Sequence, residues 1–204
     1  ESSKRMTLFK VQSHAHRWSF AAKEICLQSQ NNTERWHAAL VVVHWLMALA
    51  VIAMLALGFV MTDYKMSPLK IKLFSLHKAI GFTILAFVIV RLLVRWTTPR
   101  PPEVSMPRWQ QRAASGAHVV LYVLLILMPL SGMIINSAAG FPLSWFGVFS
   151  LPSLMEANES LQNAAEIVHG ALANALALLV LAHIGAAAYH QFGLRDRLIR
   201  RMWF

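Results

Sequence analysis

The chain has 204 residues, of which 57% are hydrophobic and 14% are charged, whereas about a quarter of the residues are charged in an ordinary soluble domain. The apolar residues come in long blocks, which indicates a membrane protein. The net charge of +10 does not indicate a nucleic-acid partner, because the cations flank the apolar blocks and form no basic stripe with interleaved aromatic residues. The single cysteine, Cys26, excludes an intrachain disulfide, a CxxC zinc site and a cysteine-ligated iron–sulfur cluster.

Residues 1–35 are polar and mixed, and they contain no apolar run long enough for the core of a signal peptide. They are predicted to form a cytoplasmic tail. His14 and His16 make a short HxH motif there, and a solvated tail explains it better than a surface metal site does. Residues 36–204 are predicted to form one transmembrane domain.

Four apolar segments follow the tail, and each is long enough to cross the ~30 Å hydrocarbon layer as a helix. The Pro-rich stretch TTPRPPEVSMPR (97–108) separates the second segment from the third. The predicted fold class is therefore all-α, a transmembrane four-helix bundle. Its spans are 39–61, 74–95, 116–136 and 166–190.

The distribution of cations predicts the orientation, because cytoplasmic loops collect Lys and Arg. Lys and Arg are frequent in the tail, in the connection between the second and third spans, and at the C-terminus, whereas the loop at 137–165 has none. Both termini are therefore predicted to face the cytoplasm. The connection between the first and second spans is an exception on the outer face, since it carries Lys65, Lys70 and Lys72, with Lys78 nearby.

Histidines recur at matched depths in these spans, although ionisable residues are costly inside a membrane and usually face the bundle interior. His44 and His183 lie roughly 8 and 10 Å from the cytoplasmic boundary, and His77 and His169 lie roughly 5 Å below the outer one. His169 and His183 are about 21 Å apart along the fourth span, and two heptads drift only about 40° around a helix. Both imidazoles should point to the same face, toward the bundle centre.

Pairs of imidazoles on neighbouring helices are typical of bis-histidine haem b, which takes one axial ligand from each side of a flat ring. Zinc would require three or four ligands in each layer. Small residues one turn after each histidine would leave room for a macrocycle, although membrane helices are rich in such residues anyway; they are Ala48, Gly81, Ala173 and Ala187. Interior histidines bonded to a neighbouring helix are the structural alternative. A metal transporter is the alternative from another class, but neither inverted repeats nor broken helices support it.

Several segments together resemble the bacterial cytochrome b561 family, over roughly residues 35–204. They are VVVHWLMAL (41–49), SLHKAIGFTIL (75–85), VRLLVRW (90–96), AHVVLYVLLILMPLSGMI (117–134), EIVHGALAN (166–174) and LAHIGAAAYHQF (181–192). The resemblance implies a four-helix inner-membrane protein with two b-type haems, whose ligands match His44, His77, His169 and His183. It also implies electron transfer between the periplasmic side and membrane ubiquinone. Some members of the family oxidise superoxide, related b-type subunits serve dehydrogenases, and homodimers are favoured.

Further residues are candidates for cofactor binding. Haem propionates attract cations, and Arg91 lies within the second span, while Arg35 precedes the first; snorkelling to the interface is the alternative for both. His118 and His190 lie at the cytoplasmic side, where they would contact a propionate, help to protonate quinone, or serve as polar anchors. Trp45 would contact haem or quinone, or be an ordinary interfacial tryptophan.

Lys70, Lys72 and Lys78 are predicted to act on the donor side, because cations near a redox centre attract an anionic donor such as superoxide. Contact with lipid headgroups is the alternative. The predicted function is that of an oxidoreductase that passes electrons from a periplasmic donor to the outer haem, then to the inner haem, and then to ubiquinone. The alternative function is a haem b membrane subunit that connects a partner dehydrogenase or a periplasmic redox protein to the quinone pool.

Overall fold

The computed structural model of the protein describes residues 35–102, 106–196 and 198–203. Cys26, His14, His16 and the rest of the predicted tail up to residue 34 lie outside the described residues. The main elements are four helices, α1 (Ala38–Asp63), α2 (Pro68–Thr97), α3 (Arg108–Ala138) and α4 (Glu159–Ala188). Two short strands, β1 (Leu143–Trp145) and β2 (Phe149–Leu151), lie between α3 and α4. After α4 the chain continues as a π-helical turn, Tyr189–Leu194, and a 3₁₀ helix, Leu198–Met202.

All four helices are long and apolar enough to cross a membrane. Large apolar side chains are exposed on the outside of the bundle, where lipid would cover them; they include Leu49, Ile52, Ile89, Leu93, Val119, Leu178 and Leu181. The four predicted spans therefore correspond to four membrane-capable helices. The predicted all-α class omits the small β1–β2 hairpin, because strands of three residues leave too short a pattern to identify.

The helices extend beyond the predicted spans because their capping residues, and not the apolar blocks, set their ends. Ser67 caps α2 by accepting a hydrogen bond from the Lys70 backbone N–H at 3.2 Å, and Pro68 follows at the first position of the helix. Asn158 caps α4 in the same way, with 3.0 Å to the Leu161 N–H. Lys70 and Lys72, predicted in a connection, are consequently helical.

Consecutive helices pack against each other, and α4 packs most extensively against α3. The buried core is apolar; it consists of Met47, Val51 and Met54 of α1, Ile84 and Val88 of α2, Leu124 of α3 and Leu176 of α4. This cluster lies midway along the helices. Histidines lie toward both ends of the bundle from it.

The hairpin lies against α2. Its turn has positive φ at Phe146 (49°) and Gly147 (75°), with the Val148 N–H donating to the Trp145 carbonyl at 2.9 Å, as in a two-residue turn matched to the twist of the strands. The Trp145 indole donates to the Thr83 hydroxyl at 3.0 Å, and the Phe149 ring contacts Phe82 edge-on. These contacts fix the hairpin beside the middle of α2.

The C-terminal segment, residues 198–203, folds back onto the start of α1. The Trp45 indole donates to the Met202 carbonyl at 2.7 Å, and its ring centre lies 5.7 Å from that of Trp203. The Trp36 N–H donates to the Arg201 carbonyl at 3.1 Å. The end of the chain therefore covers the part of the bundle that contains His44.

Candidate functional site

Three imidazoles meet near the start of α1 and the end of α4, and we call them the inner layer. The ring centres of His44 and His183 are 6.4 Å apart, with ring planes at 81°. His118 of α3 lies beside them, with its ring centre 5.5 Å from that of His183. The inner layer therefore brings together three of the predicted site residues from three helices.

Two imidazoles form the outer layer at the other end of the bundle. His77 of α2 and His169 of α4 have ring centres 6.4 Å apart and planes at 69°. Since α4 contributes one histidine to each layer, the layers are about 21 Å apart along this helix. The histidines that face α4 in the two pairs come from α1 (His44) and α2 (His77). Helix α4 packs less extensively against these two helices than against α3.

The spacing in both layers suits a metal held between two imidazoles. Because a metal–imidazole bond is about 2 Å long and the ring centre lies about 1.2 Å beyond the bonded nitrogen, two imidazoles that held one metal between them would have ring centres about 6.4 Å apart. His44–His183 and His77–His169 both have 6.4 Å. The 5.5 Å between His118 and His183 is too short for this arrangement.

An apolar cavity adjoins the outer pair and is lined by both histidines. Gly81, whose small size was predicted to leave room one turn after His77, is part of its wall. The remaining lining is almost entirely aliphatic and includes Val51, Met54, Leu55, Ile84, Leu125, Met128, Pro129 and Leu176. The Nδ1 atom of His77 is buried, with no hydrogen-bond partner among the residues that the structure describes. The two histidines beside this apolar cavity fit the side chains that would hold a macrocycle.

No group of three or more His, Cys, Asp or Glu side chains suited to a metal ion occurs within residues 35–102, 106–196 and 198–203. A zinc site built from protein ligands requires three or four. The pairs His44–His183 and His77–His169 instead offer two imidazoles each, which is the set that a b-type haem would take.

Arg91 lies beside the inner layer. Its guanidinium donates from Nε to the Tyr122 hydroxyl at 3.0 Å and from Nη1 to the Leu40 carbonyl at 2.9 Å. These bonds hold a positive charge among α1, α2 and α3, within electrostatic range of His44 and His183.

The other predicted residues of the inner end have contacts of their own. Trp45 is held by the C-terminal segment, and its ring centre lies 5.5 Å from that of His44. His190, in the π-helical turn, is paired with Asp196 just after it, with 2.5 Å between Nδ1 and Oδ2. Arg35 is exposed and lies three residues before the start of α1.

The three lysines of the outer end differ in their surroundings. Lys70 donates to the carbonyls of Thr62 (3.2 Å) and Tyr64 (2.7 Å), so it closes the C-terminal end of α1. Lys72 is exposed. Lys78 is half-buried and donates to the Asn136 side chain at 2.9 Å, and it directly follows His77.

Comparison with known proteins assigns the family. The family model described as prokaryotic cytochrome b561 matches residues 35–204. The chain belongs to the prokaryotic cytochrome b561 family. It is 32% identical to cytochrome b561 homolog 2 of Escherichia coli (strain K12) over 180 residues, which cover 84% of this chain and 93% of the relative. It is 30% identical to the probable superoxide oxidase CybB of Yersinia pestis over 165 residues, which cover 78% and 90%.

Membership of the cytochrome b561 family makes this chain a multi-pass membrane electron carrier and implies b-type haem. The resemblance expected from the sequence segments is thereby confirmed. The ligand roles of the paired histidines stay predictions, which the geometry of the two layers supports.

Several polar residues around the two layers of this cytochrome b561 protein were not predicted from the sequence. Ser131 contacts His169, Asn136 accepts from Lys78, and Asp196 pairs with His190. Ser131 and Asn136 are buried polar residues in the apolar segment LMPLSGMIIN, and that signal could have identified them. Asp196 lies in a charged C-terminal stretch and carries no such signal.

Proposed function

We propose that the chain holds two b-type haems, one between His44 and His183 and one between His77 and His169, and carries electrons across the membrane to ubiquinone. The observation that supports this most strongly is that both imidazole pairs have the same 6.4 Å separation of ring centres. When bound, the haems supply one-electron redox chemistry, and the protein sets their ligation, burial and local charge. Arg91, together with Arg35 at the bundle end, is proposed to neutralise propionate groups at the inner layer.

The membrane is proposed to be the bacterial inner membrane, with both termini in the cytoplasm. The cation-rich segments favour this orientation, since the described loop between α3 and α4 contains no Lys or Arg. The outer layer then faces the periplasm. Residues 36–204 form the transmembrane domain in this proposal, and residues 1–35 form a cytoplasmic tail.

The electron donor is proposed to be a small anion such as superoxide. Lys78 supports this, since it carries a cation next to His77, and the relative named probable superoxide oxidase is 30% identical to this chain. Two superoxide anions lose one electron each and become two O₂ molecules. Lys78 and the exposed Lys72 would raise the local concentration of the anion, whereas Lys70 is engaged at the end of α1.

Ubiquinone is the proposed acceptor, and it takes two electrons and two protons to become ubiquinol. The acceptor side therefore needs groups that can supply protons near the inner layer. His118 lies within that layer, and His190 carries a carboxylate partner, Asp196. We assign the delivery of protons to these two histidines, and contact with the quinone ring to Trp45.

An absorption spectrum of the purified protein with haem quantification tests the proposal. Two b-type haems per chain are expected. His77→Ala and His169→Ala should each remove the outer haem alone, and His44→Ala and His183→Ala the inner one alone. His37→Asn is the matched control, because His37 is an exposed histidine that caps α1, and Asn retains the cap. Colourless wild-type protein would refute the proposal.

The donor is tested separately by mixing superoxide with the oxidised holoprotein in a stopped-flow instrument. Superoxide is expected to reduce the haems after mixing, and a ubiquinone analogue added afterwards is expected to reoxidise them. Absence of haem reduction would exclude superoxide and leave the electron-carrier function intact. Co-purification of a stable dehydrogenase subunit would then favour the function as a membrane subunit.

A further inference from the structure

The two outer imidazoles are seated against glycines of neighbouring helices. A methyl group added at Gly132 of α3 would lie 3.4 Å from Cε1 and 3.8 Å from Nδ1 of His169. One added at Gly58 of α1 would lie 3.3 Å from Cε1 and 4.0 Å from Nδ1 of His77. Each ring therefore turns its Cε1–Nδ1 edge toward a glycine, so Nε2 would be the nitrogen that holds a ligand.

A serine next to one of these glycines distinguishes the two imidazoles. The Ser131 hydroxyl donates to the Met128 carbonyl at 2.7 Å, and its oxygen lies 2.8 Å from His169 Nδ1. A hydroxyl has one hydrogen, and the Met128 carbonyl takes it. The contact with His169 therefore requires the imidazole to donate its Nδ1–H to the serine oxygen. That tautomer leaves the lone pair on Nε2.

Within the described part of the chain His77 has no equivalent contact, because its Nδ1 atom is buried there without a hydrogen-bond partner. Histidines that bind metals almost always donate their other ring N–H to an acceptor, which fixes the ring and makes it a stronger ligand. His169 satisfies this condition and His77 does not. The two outer imidazoles are thus chemically unequal, although they are placed alike.

We propose that Ser131 is a positioning residue for the outer haem: it fixes the tautomer and the ring orientation of His169 and makes His169 the firmer of its two ligands. This inference rests on the proposed function, since it assumes a haem between His77 and His169. Ser131 itself stays out of the ligand set. It is 6% exposed and lies within α3, and its place on α3 is held by the bond to Met128.

The test compares holoproteins that carry Ser131→Ala, Ser131→Thr and the control Ser75→Ala. Ser75 is an exposed serine two residues before His77 on α2. The readouts are the rate of haem transfer to excess apomyoglobin and the midpoint potentials from a redox titration, neither of which depends on turnover. Both are assigned to one haem by comparison with the His44→Ala and His77→Ala holoproteins, each of which is expected to retain a single haem. The dichroism at 222 nm verifies that each variant is folded.

Loss of the acceptor from a ligating histidine typically weakens metal binding by 10- to 100-fold. Ser131→Ala should therefore lose the outer haem at least about tenfold faster than the wild type. Its outer midpoint potential should also rise, because a less basic imidazole stabilises ferric iron less. The inner haem should be unchanged, and Ser131→Thr, which keeps the hydroxyl, should restore both properties. Ser75→Ala should behave as the wild type.

The outcomes separate this inference from the function on which it rests. Wild-type protein with fewer than two haems would overturn the proposed function and this inference with it. If the wild type holds two haems but Ser131→Ala matches it in both readouts, the role of Ser131 is refuted and the function stands. If Ser131→Thr is as impaired as Ser131→Ala, the cause is packing and not the hydroxyl, and the inference fails.

Discussion

At the scale of residues, the inner layer contains three imidazoles, whereas a b-type haem would take only two as ligands. The question is which two of the three would bind it. The ring-centre separation of 6.4 Å between His44 and His183 suits opposite sides of one metal, whereas the 5.5 Å between His118 and His183 does not. His118 is thus expected to be a neighbour of the inner haem and not its ligand. Its position beside the ligands suits a role in proton delivery.

We therefore predict that His118→Ala retains two haems per chain, whereas His44→Ala retains one. The His118 variant should also reduce a ubiquinone analogue more slowly, because a proton-delivering group typically contributes about 10²-fold or more. Haem quantification and stopped-flow reoxidation by the quinone check both parts. Loss of a haem from His118→Ala, with retention in His44→Ala, would make His118 the ligand.

The lysines of the outer end are expected to differ in their effects, because their contacts differ. Lys78→Gln should slow superoxide-driven haem reduction by about threefold or more and weaken its dependence on salt, since a cation beside the redox centre is lost. Lys70→Gln should leave the rate almost unchanged and lower stability instead, because its ammonium group caps the carbonyls of Thr62 and Tyr64. Lys78→Arg, which keeps the charge, is the control. Equal slowing by the Lys70 and Lys78 variants would exclude a local role for Lys78.

At the scale of elements, the hairpin between α3 and α4 is attached to α2 by the ring contact of Phe149 with Phe82 and by a hydrogen bond from the Trp145 indole to the Thr83 hydroxyl. A net contribution of about 1 kcal/mol is typical for such a bond. Trp145→Phe and Thr83→Val should each lower the free energy of unfolding by about that amount, and the double variant should cost less than the sum, because both remove the same bond. Denaturant unfolding in detergent measures the three values. Strict additivity would show that the two groups do not interact.

The elements differ in how far the sequence predicts them. Four apolar blocks led to four helices, because a membrane span must satisfy its backbone polar groups internally. Depth along the spans also paired His44 with His183 and His77 with His169, and the ring centres of each pair are 6.4 Å apart in the structure. The ends of the helices were harder to predict from the sequence, since they depend on capping residues such as Ser67 and Asn158, which lie in polar segments.

Contacts between elements could not be predicted in the same way. Lys70 and Lys78 have similar sequence surroundings, yet one caps α1 and the other reaches Asn136 on α3. The contact of Ser131 with His169 depends on how α3 is rotated about its axis relative to α4. The spacing of apolar residues predicts that rotation too coarsely to identify a single hydrogen bond. Gly58 and Gly132 back the imidazoles from neighbouring helices, whereas the sequence pointed to small residues on the same helix.

At the scale of the whole molecule, the distribution of cations predicts how the bundle lies in the membrane. We expect Glu156→Cys, in the loop before α4, to react with a membrane-impermeant maleimide in intact spheroplasts. Arg200→Cys should react only after lysis. Both residues are exposed, and both variants would carry Cys26→Ser to remove the native thiol. The reverse pattern of labelling would invert the orientation and put the donor on the side of the inner layer.

The fold also makes the two ends of the bundle unequal, because the C-terminal segment covers the inner layer through Trp45 and Trp36. Deletion of residues 198–204 should admit water near His44. Since solvent exposure favours the more highly charged ferric state, the midpoint potential of the inner haem should fall while that of the outer haem stays constant. Trp45→Phe, which loses only the bond to the Met202 carbonyl, should give a smaller shift in the same direction, and Trp96→Phe, at an exposed tryptophan of α2, should give none. A shift of both haems by the deletion would mean that the segment stabilises the bundle as a whole and does not shield one layer.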